Sequence, residues 1–170
     1  RTSVDLFGKE PCFGFIQAPG MERTHLSYNE FGDLVDNVAK SLRDMGVNTG
    51  DRVAIIVDNS VEWAALSYAA NAIGAAYTAM YTHQHGSEWA YILGDSTPSV
   101  IAVANSAILD KLCDNLDADS WPENGIILLG TDEANELPPK GVDVTPWAKM
   151  VAAGRASKEA ITIADDPTAL

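Results

Sequence analysis

Apolar and polar positions switch between two periods along the chain, and the switches mark out its elements. Tyr28, Phe31, Leu34, Val35, Val38, Leu42 and Met45 recur on one face at the helical period, which predicts a long amphipathic helix. Ser27 and Glu30 have capping-box spacing at its start, Leu26 is placed to staple onto Phe31, and Gly46 supplies a left-handed stop. After a Gly50-Asp51 turn, Val53 to Val57 is an unbroken apolar run, the pattern of a central parallel strand covered on both faces. Asp58-Asn59-Ser60 opens a second helix, with Asn59 and Glu62 again at capping-box spacing, running through Trp63, Leu66, Ala70 and Ile73 to Gly74. A strand is expected from Ala75 to Tyr81, then a short helix from Ser87 to Leu93 closed by Gly94. A third strand spans Val100 to Val103, Asn105 caps a helix with Ile108, Leu109 and Leu112, and a fourth strand spans Ile126 to Leu129. Thr145-Pro146 reads as a cap followed by Pro at the first helical position, leading into Trp147, Met150 and Val151.

Strands alternating with helices specify an α/β domain with a mostly parallel sheet flanked by helices. Residues 1–25, punctuated by Gly8, Pro11, Gly14, Pro19 and Gly20, have no clear period beyond a short strand at Phe13, Phe15 and Ile16. The stretches from Leu116 to Asn124 and from Thr131 to Asp143 read as surface loops. Their acids (Asp117, Asp119, Glu123, Asp132, Glu133, Glu136) form a solvated face.

Charge narrows the functions available. Lys and Arg number 11 against 24 Asp and Glu, a formal net charge of −13, which repels phosphate backbones and anionic membrane surfaces. Nucleic-acid binding through a basic surface is thereby excluded. With 170 residues, 46% apolar and 21% charged, the chain suits one globular domain and not a disordered one. Cys12 and Cys113 are too few for a disulfide scaffold or zinc ribbon and read as two thiols in a reducing compartment. No Asn-x-Ser/Thr acceptor is present and no leader pattern follows Arg1, so the expected location is intracellular, cytoplasmic or peripherally attached to an organelle membrane. Between Glu62 and Glu88 there is no Asp, Glu, Lys or Arg. The apolar stretch from Ala64 to Tyr81 is rich in Ala and split by Gly74, so a buried helix leading into a buried strand is expected there, with no transmembrane segment.

Candidate chemistry is sparse. The chain has no G-x-G-x-x-G, no G-x-x-x-x-G-K-[ST] and no G-x-S-x-G, and neither cysteine has the local context of a nucleophile. His83 and His85 would share a face in an extended strand and reach one metal, yet spacing names no third ligand, so two surface-loop histidines is the simpler reading. Asp58 and Asn59 sit just beyond the C-terminal end of the first parallel strand, where open α/β sheets bind ligands; plain helix capping is the competing role. Trp63, Trp89, Tyr81 and Tyr91 either line a pocket or belong to the core, the core being the simpler reading. No residue is assigned as catalytic, cofactor-binding or metal-binding.

The order of short motifs points further. Leu26-Ser27-Tyr28-Asn29-Glu30-Phe31 resembles the first core motif of the adenylate-forming (AMP-binding) enzymes, a Leu-Thr/Ser-Tyr-x-Glu-Leu pattern. Leu42-Arg43-Asp44-Met45-Gly46-Val47 followed by Gly50-Asp51-Arg52-Val53-Ala54 is similar to that family's L-x-x-x-G-V…G-D-R-V-A stretch. Asn59-Ser60-Val61-Glu62-Trp63 matches its N-S-x-E-W run in the form typical of fatty acyl-CoA synthetases. Ala72-Ile73-Gly74-Ala75-Ala76-Tyr77 corresponds to the second core motif, and Tyr91-Ile92-Leu93-Gly94-Asp95-Ser96 fits the Y-I-L-x-D-S that follows. The matches run in family order over residues 24–104. The departure is at Ala79 and Met80, where family members often carry Pro, and nothing from Asn105 to Ala160 matches a motif.

The resemblance implies the N-terminal lobe of the large domain of the adenylate-forming fold, most like that of a long-chain fatty acyl-CoA synthetase. The expected division is an irregular segment over 1–25, the lobe over 26–154, and a linker over 155–170 leading toward an ATP-binding core. Ile161 to Leu170, with Asp165-Asp166-Pro167, looks like the approach to the family's phosphate-gripping Thr/Ser/Gly-rich loop. The implied parent reaction joins a fatty acid to coenzyme A: the carboxylate attacks the α-phosphate of ATP with Mg²⁺ present, and the thiol then displaces AMP. The chain alone carries no cofactor on this reading and is expected to be inert. Its partner would be the remainder of the parent enzyme, and exposed apolar surface would drive self-association. Two alternatives stay open: the same lobe of another adenylating ligase, such as an aryl-CoA ligase or a luciferase-like enzyme, and a non-catalytic flavodoxin-like binding module.

Overall fold

The computed structural model describes residues 2–16, 20, 22–131, 138–158 and 160–161. The chain opens with a short helix, α1 (Thr2–Phe7), and an antiparallel pair, β1 (Pro11–Phe15) and β2 (Thr24–Ser27). These lie where the sequence has no clear period, because neither element has a fully buried face. Nothing in α1 is buried, and Leu6 and Phe7 are exposed.

Next comes α2 (Tyr28–Asp44), with its capping box in place. Ser27 Oγ accepts from the Glu30 amide at 3.3 Å, and the Glu30 carboxylate accepts from the Ser27 amide at 2.8 Å. Those bonds favour the ionised acid and hold the Glu30 carboxyl below its usual range. The expected packing face holds: Phe31, Val38 and Leu42 are buried. Phe31 meets Phe13 of β1 with ring centroids 4.8 Å apart.

The sheet then builds as β3 (Arg52–Ile56), α3 (Val61–Ala72), β4 (Ala76–Met80), α4 (Gly86–Ser96), β5 (Val100–Val103), α5 (Ser106–Asn115), a 3₁₀ turn (Ala118–Ser120), β6 (Ile126–Leu128), β7 (Val144–Pro146) and α6 (Trp147–Ala156). All five strands are parallel, in the order β4-β3-β5-β6-β7. Counted from β3 this is 2-1-3-4-5, the doubly wound arrangement that reverses direction between its first and third strands. The mostly parallel sheet flanked by helices is thus present. One core joins α2, α3 and α6 to Val53, Ile55, Val100 and Ala102; the other joins α4 and α5 to Ala54, Ile56, Ile101 and Ile126. Ser41 Oγ donates to the buried Met150 carbonyl at 2.6 Å, tying α2 to α6. Gly154 permits that crossing, since a Cβ there would collide with the Asn37 carbonyl oxygen.

Three boundaries differ from the sequence pattern. The cap of α3 is Ser60, not Asn59: its side chain accepts from the Trp63 amide at 3.1 Å, and Glu62 then falls one position short of a reciprocal box. Helix α4 runs through Gly94 and turns back only at Thr97, whose φ of 41° is left-handed. Thr145 lies in β7 opposite Ile127 and does not cap the helix, and Pro146 ends β7 at the N-cap position of α6 with no side-chain cap bond, one place before the first helical residue; a three-residue edge strand is too short to show a period and tolerates the missing Pro N–H. The uncharged stretch from Ala64 to Tyr81 divides into a largely buried α3 and β4, but β4 is not the buried strand expected: it is the outer strand of the sheet, with Tyr77 and Ala79 exposed. Among the described residues no helix is long and apolar enough to cross a membrane.

Candidate functional site

In an open parallel sheet the ligand edge lies beyond the C-terminal ends of the strands, at the point where the winding reverses. Here that point is the gap between β3 and β5, crossed by an Ala104 amide to Ile56 carbonyl bond of 3.0 Å. The buried strands β3 and β5 and the outer strand β4 deliver three polar turns to this edge. Asp58-Asn59-Ser60 follows β3, residues 81–85 follow β4, and Ala104-Asn105 follows β5. Each turn feeds a helix N-terminus, and the turns after β3 and β5 each give a side chain to capping. Ser60 caps α3, and Asn105 Oδ1 accepts from the Ile108 amide at 3.1 Å.

Asp58 and Asn59 therefore stand at the edge, exposed, and Ser60 does the capping. Asp58 instead links the turns after β3 and β4, its Oδ1 accepting from Thr82 Oγ1 at 2.5 Å. Sequence reading could not find that partner, which is a Thr in a distant loop with no pattern of its own. The turn after β4 is closed by the Tyr81 amide donating to Gln84 Oε1 at 3.0 Å and by Trp89 Nε1 donating to the Tyr81 carbonyl at 3.0 Å.

His83 and His85 are not on a strand. His83 lies in the turn and His85 precedes α4, its amide donating to Glu88 at 3.1 Å; both rings are exposed. The shared face that would aim them at one metal does not form, and among the described residues no three His, Cys, Asp or Glu side chains cluster as ligands. The four aromatics separate as well. Trp89 is fully buried, with Lys111 Nζ 5.5 Å from its ring centroid, whereas Tyr81 and Tyr91 are 80% and 77% exposed, which removes them from both core and pocket. Trp63 is half-buried and meets Tyr77 edge-on at 6.1 Å. Cys12 and Cys113 are partly buried, and burial pushes the Cys12 thiol up, away from the reactive thiolate.

One groove adjoins this edge. About 540 Å³ in volume, it runs between β1 and the start of α3 and is lined by Phe13, Phe15, Asn59, Ser60, Val61 and Trp63. Its β1 wall is only partly visible in sequence, through the alternation of Phe13 and Phe15. The lining is apolar with two neutral polar side chains and no Lys or Arg. That chemistry does not fit a triphosphate with its Mg²⁺, which requires cationic and carboxylate partners.

A family model described as AMP-binding enzyme matches residues 3–170. The long-chain-fatty-acid–CoA ligase FadD13 of Mycobacterium tuberculosis (strain H37Rv) is 34% identical over 76 residues, covering 45% of this chain and 15% of that protein. An L-proline–[L-prolyl-carrier protein] ligase of Streptomyces coelicolor is 32% identical over 123 residues, covering 72% of this chain and 22% of that one. The solved N-terminal domain of FACL13 from Mycobacterium tuberculosis superposes with a TM-score of 0.67 at 21% identity, over 98% of this chain and 36% of its own, which shows a shared fold. The chain spans less than a quarter of the length of these curated relatives, 15% of one and 22% of the other.

Proposed function

The chain belongs to the AMP-binding enzyme family, and from that premise we propose that it forms the opening lobe of a fatty acyl-CoA synthetase. The reaction proposed for the whole enzyme forms an acyl-adenylate and pyrophosphate from ATP and a fatty acid, then an acyl-CoA and AMP. The observation that carries the reading is the family match across residues 3–170, within which the ordered motifs fall where helices and strands of the lobe begin. Ser27 and Glu30 cap α2, Asp51 and Arg52 start β3, and Asn59-Ser60-Val61-Glu62-Trp63 turns β3 into α3 at the ligand edge. The last of these has the fatty acyl-CoA form, and a relative named for long-chain fatty acids supports the same choice.

The lobe's role is scaffolding. At its ligand edge Ser60 and Asn105 cap helices and Asp58 holds Thr82, so no step through nucleotide, Mg²⁺ or coenzyme A is assigned to these side chains. The same lobe in a different adenylating ligase is the second reading. It draws support from the streptomycete relative, which matches more of the chain and is named for proline.

ATP–pyrophosphate exchange separates the two. The complete polypeptide that contains these residues is assayed with long-chain fatty acids, aryl carboxylates and amino acids. Exchange stimulated mainly by fatty acids is expected. Stimulation by proline or an aryl acid, with fatty acids silent, would move the assignment to the second reading.

A further inference from the structure

Of the asparagines in the chain, Asn124 alone is followed by glycine. An asparagine carboxamide carbon can close a five-membered ring with the amide nitrogen of the next residue, and only glycine leaves that approach uncrowded by a Cβ. The pair lies in the turn that leads into β6, at the end of the sheet away from the ligand edge. Glu123 is exposed and Asn124 half-buried, and Gly125 has a φ of +88°. The Gly125 amide reaches the Pro122 carbonyl only at 3.4 Å, beyond the usual span of such a bond, so the fold holds the attacking nitrogen's proton weakly.

The surroundings of Asn124 decide what the reaction would do. A Cβ added to Gly46 would lie 3.0 Å from Asn124 Oδ1, so the carboxamide rests against the residue at which α2 reverses. A neutral amide suits the negative end of a helix, and a carboxylate there is repelled. The main chain on either side is anchored. The Asn124 amide donates to the Ser99 carbonyl at 2.9 Å and the Ile126 amide to the Asp143 carbonyl at 2.8 Å, while the Gly125 carbonyl accepts from Ile101 of β5 at 3.3 Å. A longer link between residues 124 and 126 would put these bonds out of step.

We propose that Asn124-Gly125 is a self-modifying site, at which the folded chain converts Asn124 to aspartyl and isoaspartyl and thereby loosens the start of β6. The Gly125 nitrogen gives its proton to solvent and attacks Asn124 Cγ. The N–Cγ bond forms, the Cγ–Nδ2 bond breaks, and ammonia leaves with a proton from solvent, giving a succinimide. Water then opens the ring. Cleavage between Gly125 N and Cγ leaves Asp at 124. Cleavage between Gly125 N and the main-chain carbonyl carbon leaves an isoaspartyl link, one atom longer, between the two anchors. This inference is independent of the acyl-CoA reading and needs no partner beyond water.

The test is incubation of the folded 170-residue chain at mildly alkaline pH, followed by peptide mapping that separates Asn, Asp and isoaspartyl forms. Conversion is expected at Asn124 ahead of every other asparagine, with ammonia released in step. The aged chain should unfold at a lower denaturant midpoint with an unchanged slope, and the Ile101 and Ile126 amides should lose protection. Asn124→Ser should abolish both the conversion and the drift in midpoint. Asn124→Asp, which adds the charge without the longer link, should lower the midpoint by less than the isoaspartyl form does. Two results would overturn the proposal: Asn124 intact in the folded chain over a period in which the denatured chain converts it, or a converted chain whose midpoint and amide protection are unchanged. Peptide mapping uses the natural sequence and stands even if a variant folds poorly.

Discussion

The two ends of the parallel sheet are built by opposite rules. At the end where strands begin, helices finish, and their last carbonyls need donors and a reversal of the chain. Six of the described residues with positive φ lie in the connections leading into strands β3 to β7: Gly46, Gly50, Gly74, Thr97, Gly125 and Gly141. Two arginines close the same end. Arg43 donates to the Ile73 carbonyl at 2.9 Å behind α3, and Arg52 donates to the Ser96 carbonyl and, at 2.8 Å, to Thr97 Oγ1 behind α4. At the other end helices begin, no described residue has a positive φ, and short polar side chains cap the amides. The lesson concerns motifs. The Gly-Asp-Arg-Val-Ala stretch that helps identify the family is a structural clasp on the end away from the ligand edge, so a recognisable motif here marks architecture and not chemistry.

If the clasped end carries the stability, changes there should cost most. Gly125→Ala meets two obstacles, a φ of +88° and the Asp143 carbonyl oxygen 2.6 Å from the added Cβ. A loss of about 2–4 kcal/mol in denaturant unfolding is expected, and a loss under about 1 kcal/mol would break the contrast. Arg52→Leu removes the donors behind α4 and should cost about 1–2 kcal/mol, with the left-handed turn at Thr97 loosening first in amide exchange. At the opposite end Ser60→Ala and Asn105→Ala should each cost about 1 kcal/mol, and the double variant the sum, because each cap acts on its own helix. Thr82→Val breaks only an exposed pair with Asp58 and should stay within about 0.5 kcal/mol.

The smallest effect is a pH effect away from both ends. The Glu30 carboxyl is held below its usual range in the fold, so its contribution is complete above the ordinary carboxylate range and is lost as pH falls through the lowered value. Amide protection at the first turn of α2 should fall below about pH 4, and Glu30→Gln should remove that dependence.

Where burial is one-sided or complete, the sequence shows it. The face of α2 repeats from Tyr28 to Met45, and the apolar runs of β3 and β5 announce strands covered on both sides. Where burial is partial, the pattern fails. The β1–β2 pair and β7 are short and half-exposed, and their place depends on contacts far along the chain, such as Phe13 on Phe31 and Thr145 beside Ile127. The sequence puts the stop of α4 at Gly94 because glycine is the usual reversal, whereas Thr97 takes it with Arg52 donating to it. Of the candidate site, Asp58 and Asn59 are legible in sequence at the ligand edge, where the structure has them. The histidine pair fails because a shared face needs a strand where the chain turns.

The central claim is that these residues form a scaffold lobe of an AMP-binding enzyme and do not themselves hold the nucleotide. Calorimetric titration of MgATP into the folded 170-residue chain, with and without a long-chain fatty acid, tests it most directly. The account predicts no saturable heat in either case. Tight, stoichiometric binding of MgATP would contradict it and would make this lobe a nucleotide site in its own right.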